Sequence, residues 1–130
     1  AIKNFNKAIE IYPDYAAAYL DRGGARMKLK KRDFMAAIND FSKVIDLRPS
    51  YPDAYYRRAV VYRMQGLHKE AIEDLGVYLS YVNNNERAYV YRADSYHQRG
   101  MTEMACPDWQ KAASLGNKQA ESLVKRYCTN

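Results

Sequence analysis

The side chains able to carry chemistry are few: two histidines (His68, His97), two cysteines (Cys106, Cys128) and, unusually, 13 tyrosines in 130 residues. Neither histidine has a serine, cysteine and acid arranged around it, so neither reads as the base of a nucleophilic pair. The histidines and cysteines also lack the close spacing of a structural zinc site. There is no glycine-rich phosphate loop, no His-Glu-x-x-His and no nucleophile elbow. Gly23-Gly24 lies within an apolar-periodic helical stretch and reads as close helix packing. The expectation is a noncatalytic protein with no cofactor and no metal.

The length fits one domain. Hydrophobic residues make up 48% and charged residues 28%, ordinary values that fit neither a disordered tail nor a membrane protein. The longest apolar run, Tyr15 to Leu20, is far below the roughly 20 residues that span a bilayer. No signal-peptide pattern is visible. The net charge of +6 permits an anionic partner without requiring one, so the position of the charge decides.

The tyrosines expose the organisation. Ala18-Tyr19-Leu20-Asp21-Arg22, Ala54-Tyr55-Tyr56-Arg57-Arg58 and Ala88-Tyr89-Val90-Tyr91-Arg92 share one pattern, which makes the chain an internal repeat. From the second copy to the third the shift is 34 residues throughout, as in Tyr55 to Tyr89, Gly66 to Gly100 and Asp74 to Asp108. From the first to the second it is 36 across Tyr19 and Tyr55 but 34 across Ala37 and Ala71, so two extra residues lie within Lys28 to Arg32. In the second copy Tyr55, Ala59 and Tyr62 fall on one helix face. Gly66 then supplies a stop, Ala71, Leu75, Tyr78, Leu79 and Val82 mark a second helix, Pro52 suits a first turn and Asn117 an N-cap. Eight helices are predicted, with Pro107 delaying or distorting the seventh.

This pattern resembles the tetratricopeptide repeat (TPR) family, whose unit is a 34-residue helix-turn-helix. Tyr19, Tyr55 and Tyr89 match its opening aromatic, Gly23, Ala59 and Ala93 its small residue, and Tyr62 and Tyr96 its later tyrosine. Ala1, Ala37, Ala71 and Ala105 match its second-helix alanine, Phe5, Phe41 and Trp109 its aromatic, and Pro13 and Pro49 its closing proline. Arg26, Leu75, Asn83, Asn117, Arg22, Arg58 and Arg92 depart from it. The resemblance implies an all-α, right-handed solenoid of antiparallel helix pairs, about three and a half repeats plus a C-terminal cap. Residues 1–15 would be the second helix of a truncated repeat, 16–51, 52–85 and 86–117 the repeats, and 118–130 the capping helix. Residues 108–117 also resemble the ending of bacterial TPR and Sel1-like proteins. The start inside a repeat suggests a fragment of a longer protein, able to self-associate through Ile2, Phe5 and Ile9. At packing places Tyr19, Tyr55, Tyr62, Tyr89 and Tyr96 are expected in the core, with Tyr15 and Tyr51 closing the repeats.

Counting about 100° per residue, Asp53, Arg57, Val60 and Met64 lie opposite the buried face of the second repeat, flanked by Tyr56 and Arg63. The third repeat places Arg87, Tyr91, Asp94 and Gln98 there, flanked by Val90 and His97. The first places Ala17, Asp21, Gly24 and Lys28, flanked by Leu20 and Met27. In the TPR family this face lines a groove that receives a peptide, which implies a protein-interaction scaffold. The candidate groove residues are Tyr56, Arg57, Val60, Met64, Arg87, Tyr91, Asp94 and Gln98. A plain solvated face is the simpler alternative, against which the outward apolar residues argue. The family's carboxylate clamp is not carried over, since of the matching places Leu20, Gly24, Arg57, Arg87 and Tyr91 only Arg87 keeps the charge.

Charges in the groove nearly balance, so the excess falls chiefly on Lys28, Lys30, Lys31 and Arg32 and on Lys118, Lys125 and Arg126. An RNA-binding module using the basic Lys28–Arg32 loop is the alternative. It ranks below a peptide because the loop contains no aromatic for base stacking. Three further expectations concern structure. Arg22, Arg58 and Arg92 should pair with Asp40, Asp74 and Asp108 as partly exposed ion pairs worth about 0 to 1 kcal/mol each, or else with the preceding repeat's acid. Ala120, Leu123, Val124 and Tyr127 should form the buried stripe of the capping helix. Cys106 and Cys128, each 11 residues from Asn117, meet at the open end of a hairpin. Two reduced thiols are expected there, as in a cytosolic protein, and a disulfide would point to an extracytoplasmic home.

Overall fold

Small and apolar residues recurring at every third or fourth position give each segment a stripe that a neighbouring helix must cover. In the computed structural model, which describes residues 1–29 and 31–128, these segments form eight helices. They are α1 (Ile2–Ile11), α2 (Ala16–Met27), α3 (Phe34–Leu47), α4 (Pro52–Met64), α5 (His68–Tyr81), α6 (Glu86–Gln98), α7 (Thr102–Ser114) and α8 (Lys118–Tyr127). No strand occurs among the described residues. Helices α2 and α3, α4 and α5, and α6 and α7 pack as consecutive pairs; α3 meets α4 and α5 meets α6, so the pairs stack into an all-α solenoid, with α1 and α8 on its ends.

Local chemistry sets the boundaries. The side chains of Asp33, Asn85 and Asn117 accept from backbone N–H groups of Ala36, Arg87 and Ala120, satisfying donors that a helix start leaves open. The turns after α4, α6 and α7 use Gly66, Gly100 and Gly116 at φ of +76°, +75° and +99°, a region costly for any residue with a Cβ. The first repeat lacks such a glycine and uses its two extra residues instead. Lys30, in that turn, lies outside the described residues.

The core repeats as the sequence does. Ala37, Ala71 and Ala105 are fully buried, and Phe41, Leu75 and Trp109 fill the equivalent space four residues later. Gly23 is needed where α2 meets α3, because a Cβ there would stand 2.6 Å from the Phe41 ring. Tyr55 and Tyr89 donate their hydroxyls to the carbonyls of Pro49 and Asn83, tying each repeat to the end of the one before. On α8 Ala120 is buried and Leu123 and Val124 are half-buried, as the stripe predicts, but Tyr127, expected with them, is 37% exposed. Tyr15 and Tyr51 correct the expectation of closure, being 48% and 39% exposed.

The arginine and aspartate couples form within each repeat. Arg22 meets Asp40 at 2.6 Å, Arg58 meets Asp74 at 2.8 Å and Arg92 meets Asp108 at 2.8 Å, each through two nitrogens. The hydrogen bond to the acid holds each guanidinium above its ordinary pKa. Arg26, standing where the family has tyrosine, adds a bond to Asp40 at 2.8 Å. The acids are more buried than predicted, at 3 to 7% exposure, so losing the arginine would strand a charge. The arginines also reach back one repeat: Arg22 donates to Asn6 and Arg58 to Ser42.

Two expectations at the C-terminal end are corrected. Helix α7 starts at Thr102 and continues through Pro107. Its first turn is already held by bonds from Met104 and Ala105 to the Met101 carbonyl, so the one bond that proline removes does not delay it. Cys106 and Cys128 are joined in a disulfide, their Cα atoms 5.7 Å apart. The hairpin turn at Gly116 brings them within bridging range.

Candidate functional site

Helices α2, α4 and α6 share one face, and two hollows open on it. From α4 come Tyr56, Arg57, Val60 and Met64, spaced by about one turn; from α2 come Gly24 and Met27. Together with Lys28 and Arg32 they enclose about 360 Å³, an apolar space with cations around it. The basic turn is therefore part of this hollow. Arg57 is held by Asp53, four residues earlier, at 2.8 Å. Tyr56 is half-buried, its ring centroid 5.0 Å from that of Tyr78 and 6.1 Å from that of Tyr91. Burial, with the neighbouring Tyr91, pushes its hydroxyl up to about 12.

The second hollow, about 440 Å³, lies between α4, the start of α5, α6, α7 and α8 and is lined chiefly by polar groups. Asp94 Oδ1 accepts from the indole N–H of Trp109 at 3.1 Å. Burial raises the Asp94 carboxyl above its usual 3.8. His68 Nδ1 lies 2.9 Å from Ser95 Oγ and His97 Nδ1 2.9 Å from Thr102 Oγ1. The His97 ring packs 5.5 Å from Trp109 and 4.6 Å from Tyr127. Between the hollows the Arg63 guanidinium covers Tyr91 at 4.4 Å, a cation–π contact that fixes both.

The predicted residues thus divide. Tyr56, Arg57, Val60 and Met64 line the first hollow, Asp94 and Gln98 the second, and Tyr91 stands between them under Arg63. Arg87 is exposed and lines neither. Leu20 and Val90, taken as flanking the groove, are buried. His68 begins α5 and turns its ring to Ser95. Sequence reasoning missed Arg63 as the divider and Trp109 and Tyr127 as lining residues. Trp109 had been absorbed by its core role, and its N–H, the usual need of a buried indole, was the available signal. Among the described residues no cluster of three or more His, Cys, Asp or Glu is arranged to hold a metal. No helix there is long and apolar enough to cross a membrane.

An array of two-helix units at this spacing defines a helical-repeat solenoid. The Tetratricopeptide repeat model matches residues 24–79, and this match, with the structural neighbours that follow, supports a tetratricopeptide repeat protein. A solved structure of the MamA protein is similar over 92% of this chain at 29% identity and a TM-score of 0.81. A second MamA structure gives 29% identity, 92% coverage and 0.82. The chain spans 64% of the length of the first MamA chain and 69% of the second. The first TPR of Spaghetti (RPAP3), solved with the HSP90 peptide SRMEEVD, shares the fold at a TM-score of 0.78 and 21% identity, over 87% of this chain and 90% of that one. A search of curated proteins found no match.

Proposed function

We propose that this chain is a noncatalytic protein-interaction scaffold that holds an extended peptide along the face of α2, α4 and α6. The observation that carries the reading is the open apolar hollow between the first two complete repeats, built by Met27, Tyr56, Val60 and Met64. Met64 is 42% exposed, and polarizable, adaptable methionines suit a surface that accepts a side chain. A likeness in fold to a TPR domain solved with a bound peptide supports the same use.

The test is binding of labelled random-sequence peptides and of single-stranded RNA at low and at physiological salt. Peptides should bind at both, and Tyr91→Ala and Arg57→Ala should each cost about 1 to 3 kcal/mol, since aromatics and arginines dominate such interfaces. RNA held by Lys31 and Arg32 would instead be lost as salt rises. RNA binding that survives Tyr91→Ala and fails in Lys31→Ala, with no peptide bound, would sink the groove reading.

A further inference from the structure

Arg63 differs from the arginines that grip a buried aspartate within the helix pairs. Arg22, Arg26, Arg58 and Arg92 each meet an aspartate at 2.6 to 2.8 Å, whereas Arg63 stands 3.8 Å from Asp94. That distance is beyond a hydrogen bond. Asp94 is instead engaged with Trp109 at 3.1 Å. A guanidinium carries five N–H donors, yet Arg63 makes no hydrogen bond among the described residues, and its Nε is buried without an acceptor. Stacking on Tyr91 at 4.4 Å holds the group in place. The result is an immobilised cation with unspent donors at the edge of the second hollow. His68 and His97 line the same space and are oriented through Nδ1, which leaves each Nε2 for a ligand.

We propose that this hollow is a subsite for one carboxylate of the bound peptide, its two oxygens taken by the Arg63 guanidinium with His68 and His97 beside it. The inference rests on the peptide-binding reading above and adds the chemistry of the ligand. One guanidinium next to an existing aspartate suits a single negative charge better than a phosphate dianion. Bidentate geometry suits a carboxylate. Asp94 competes for the same cation, so its removal should favour the ligand.

The experiment uses two arrays of random-sequence peptides: one attached through an amidated C-terminus, the other through the N-terminus with the terminal carboxylate free. Wild type, Arg63→Gln, Arg63→Lys and Asp94→Asn are applied to both, after circular dichroism has shown that each variant keeps its helices. Wild type should select Asp or Glu at a constant distance from an apolar residue. Arg63→Gln should lose that selection and bind acidic peptides about tenfold or more weakly, in line with a lost charged hydrogen bond. Peptides without an acid should be unaffected. Arg63→Lys should keep part of the selection and Asp94→Asn should strengthen it, an effect that a merely structural arginine would not produce. Binding confined to the free-carboxylate array, and equally dependent on Arg63, would identify the chain end as the source of the carboxylate. Peptides bound without acidic selection, selection that persists in Arg63→Gln, or preference for phosphoserine over glutamate would overturn the inference and leave the groove standing. Failure of wild type to bind any peptide would overturn the groove reading, and this inference with it.

Discussion

Arg92 Nη1 lies 4.0 Å from the point where a Cβ on Gly76 would stand. Gly76 occupies the place that Ser42 holds one repeat earlier, where Arg58 Nη1 finds the serine hydroxyl at 3.0 Å. The third arginine thus grips its own repeat's Asp108 but has no side chain to hold in the repeat before. Gly76→Ser should supply one. The hydroxyl bond is worth about 1 kcal/mol, and replacing glycine inside a helix adds a few tenths more. Urea denaturation should show a higher midpoint with an unchanged slope.

The buried acid decides what the arginine couples are worth. Arg58→Met would leave Asp74 without its partner at 7% exposure and should cost about 3 to 5 kcal/mol. Adding Asp74→Leu should recover most of that loss, because the stranded charge is then gone. A double change no better than the single one would show that the couple itself, rather than the unpaired charge, carries the stability.

Two adjacent glycines should respond oppositely to alanine. At Gly23 the new methyl would meet the Phe41 ring at 2.6 Å, inside a packed core where overfilling costs about 1 to 3 kcal/mol. At Gly24 it would meet only the end of the Arg57 side chain at 3.0 Å, which can swing away. Gly24→Ala should therefore be neutral, or stabilising by up to about 1 kcal/mol through helix propensity. Thermal melts of the two variants would show the contrast.

Asp94 gives a pH signature. Burial raises its carboxyl above 3.8 in the folded chain, so the folded state binds this proton more readily than the unfolded one. Its contribution to stability is then greatest below the unfolded value and is lost as pH rises through the raised one. Asp94→Asn, which still offers Trp109 an oxygen, removes that dependence. At neutral pH the variant should be at least as stable as wild type, and the difference should shift in favour of wild type on acidification to about pH 3. Denaturation series at several pH values would reveal it.

Repeat arithmetic alone exposed the helix pairs, the glycine turns and the arginine couples, because each depends on residues that recur at a fixed spacing. The site was legible only in part. A helical wheel assigns one buried face, but a first helix in a stacked array is covered both by its own partner and by the adjacent repeats, which is why Leu20 and Val90 are buried. The same stacking draws Tyr56 against Tyr78 and Tyr91. Arg63 and Trp109 meet Asp94 across three different helices, a relation that no single-helix pattern contains. Pro107 and the cysteines were misjudged for another reason: each depends on what its neighbours in space, rather than in sequence, hold in position.

The Cys106–Cys128 bridge also sets how the chain would carry a pull. Tension applied across the C-terminal end would pass from one sulfur to the other and bypass residues 107–127, so most of α7 and all of α8 would stay slack behind the bond. Under oxidising conditions stretching would expose the earlier helices only. Reduction would release a hidden length of about 70 to 80 Å, at the roughly 3.3 to 3.6 Å that each extended residue spans.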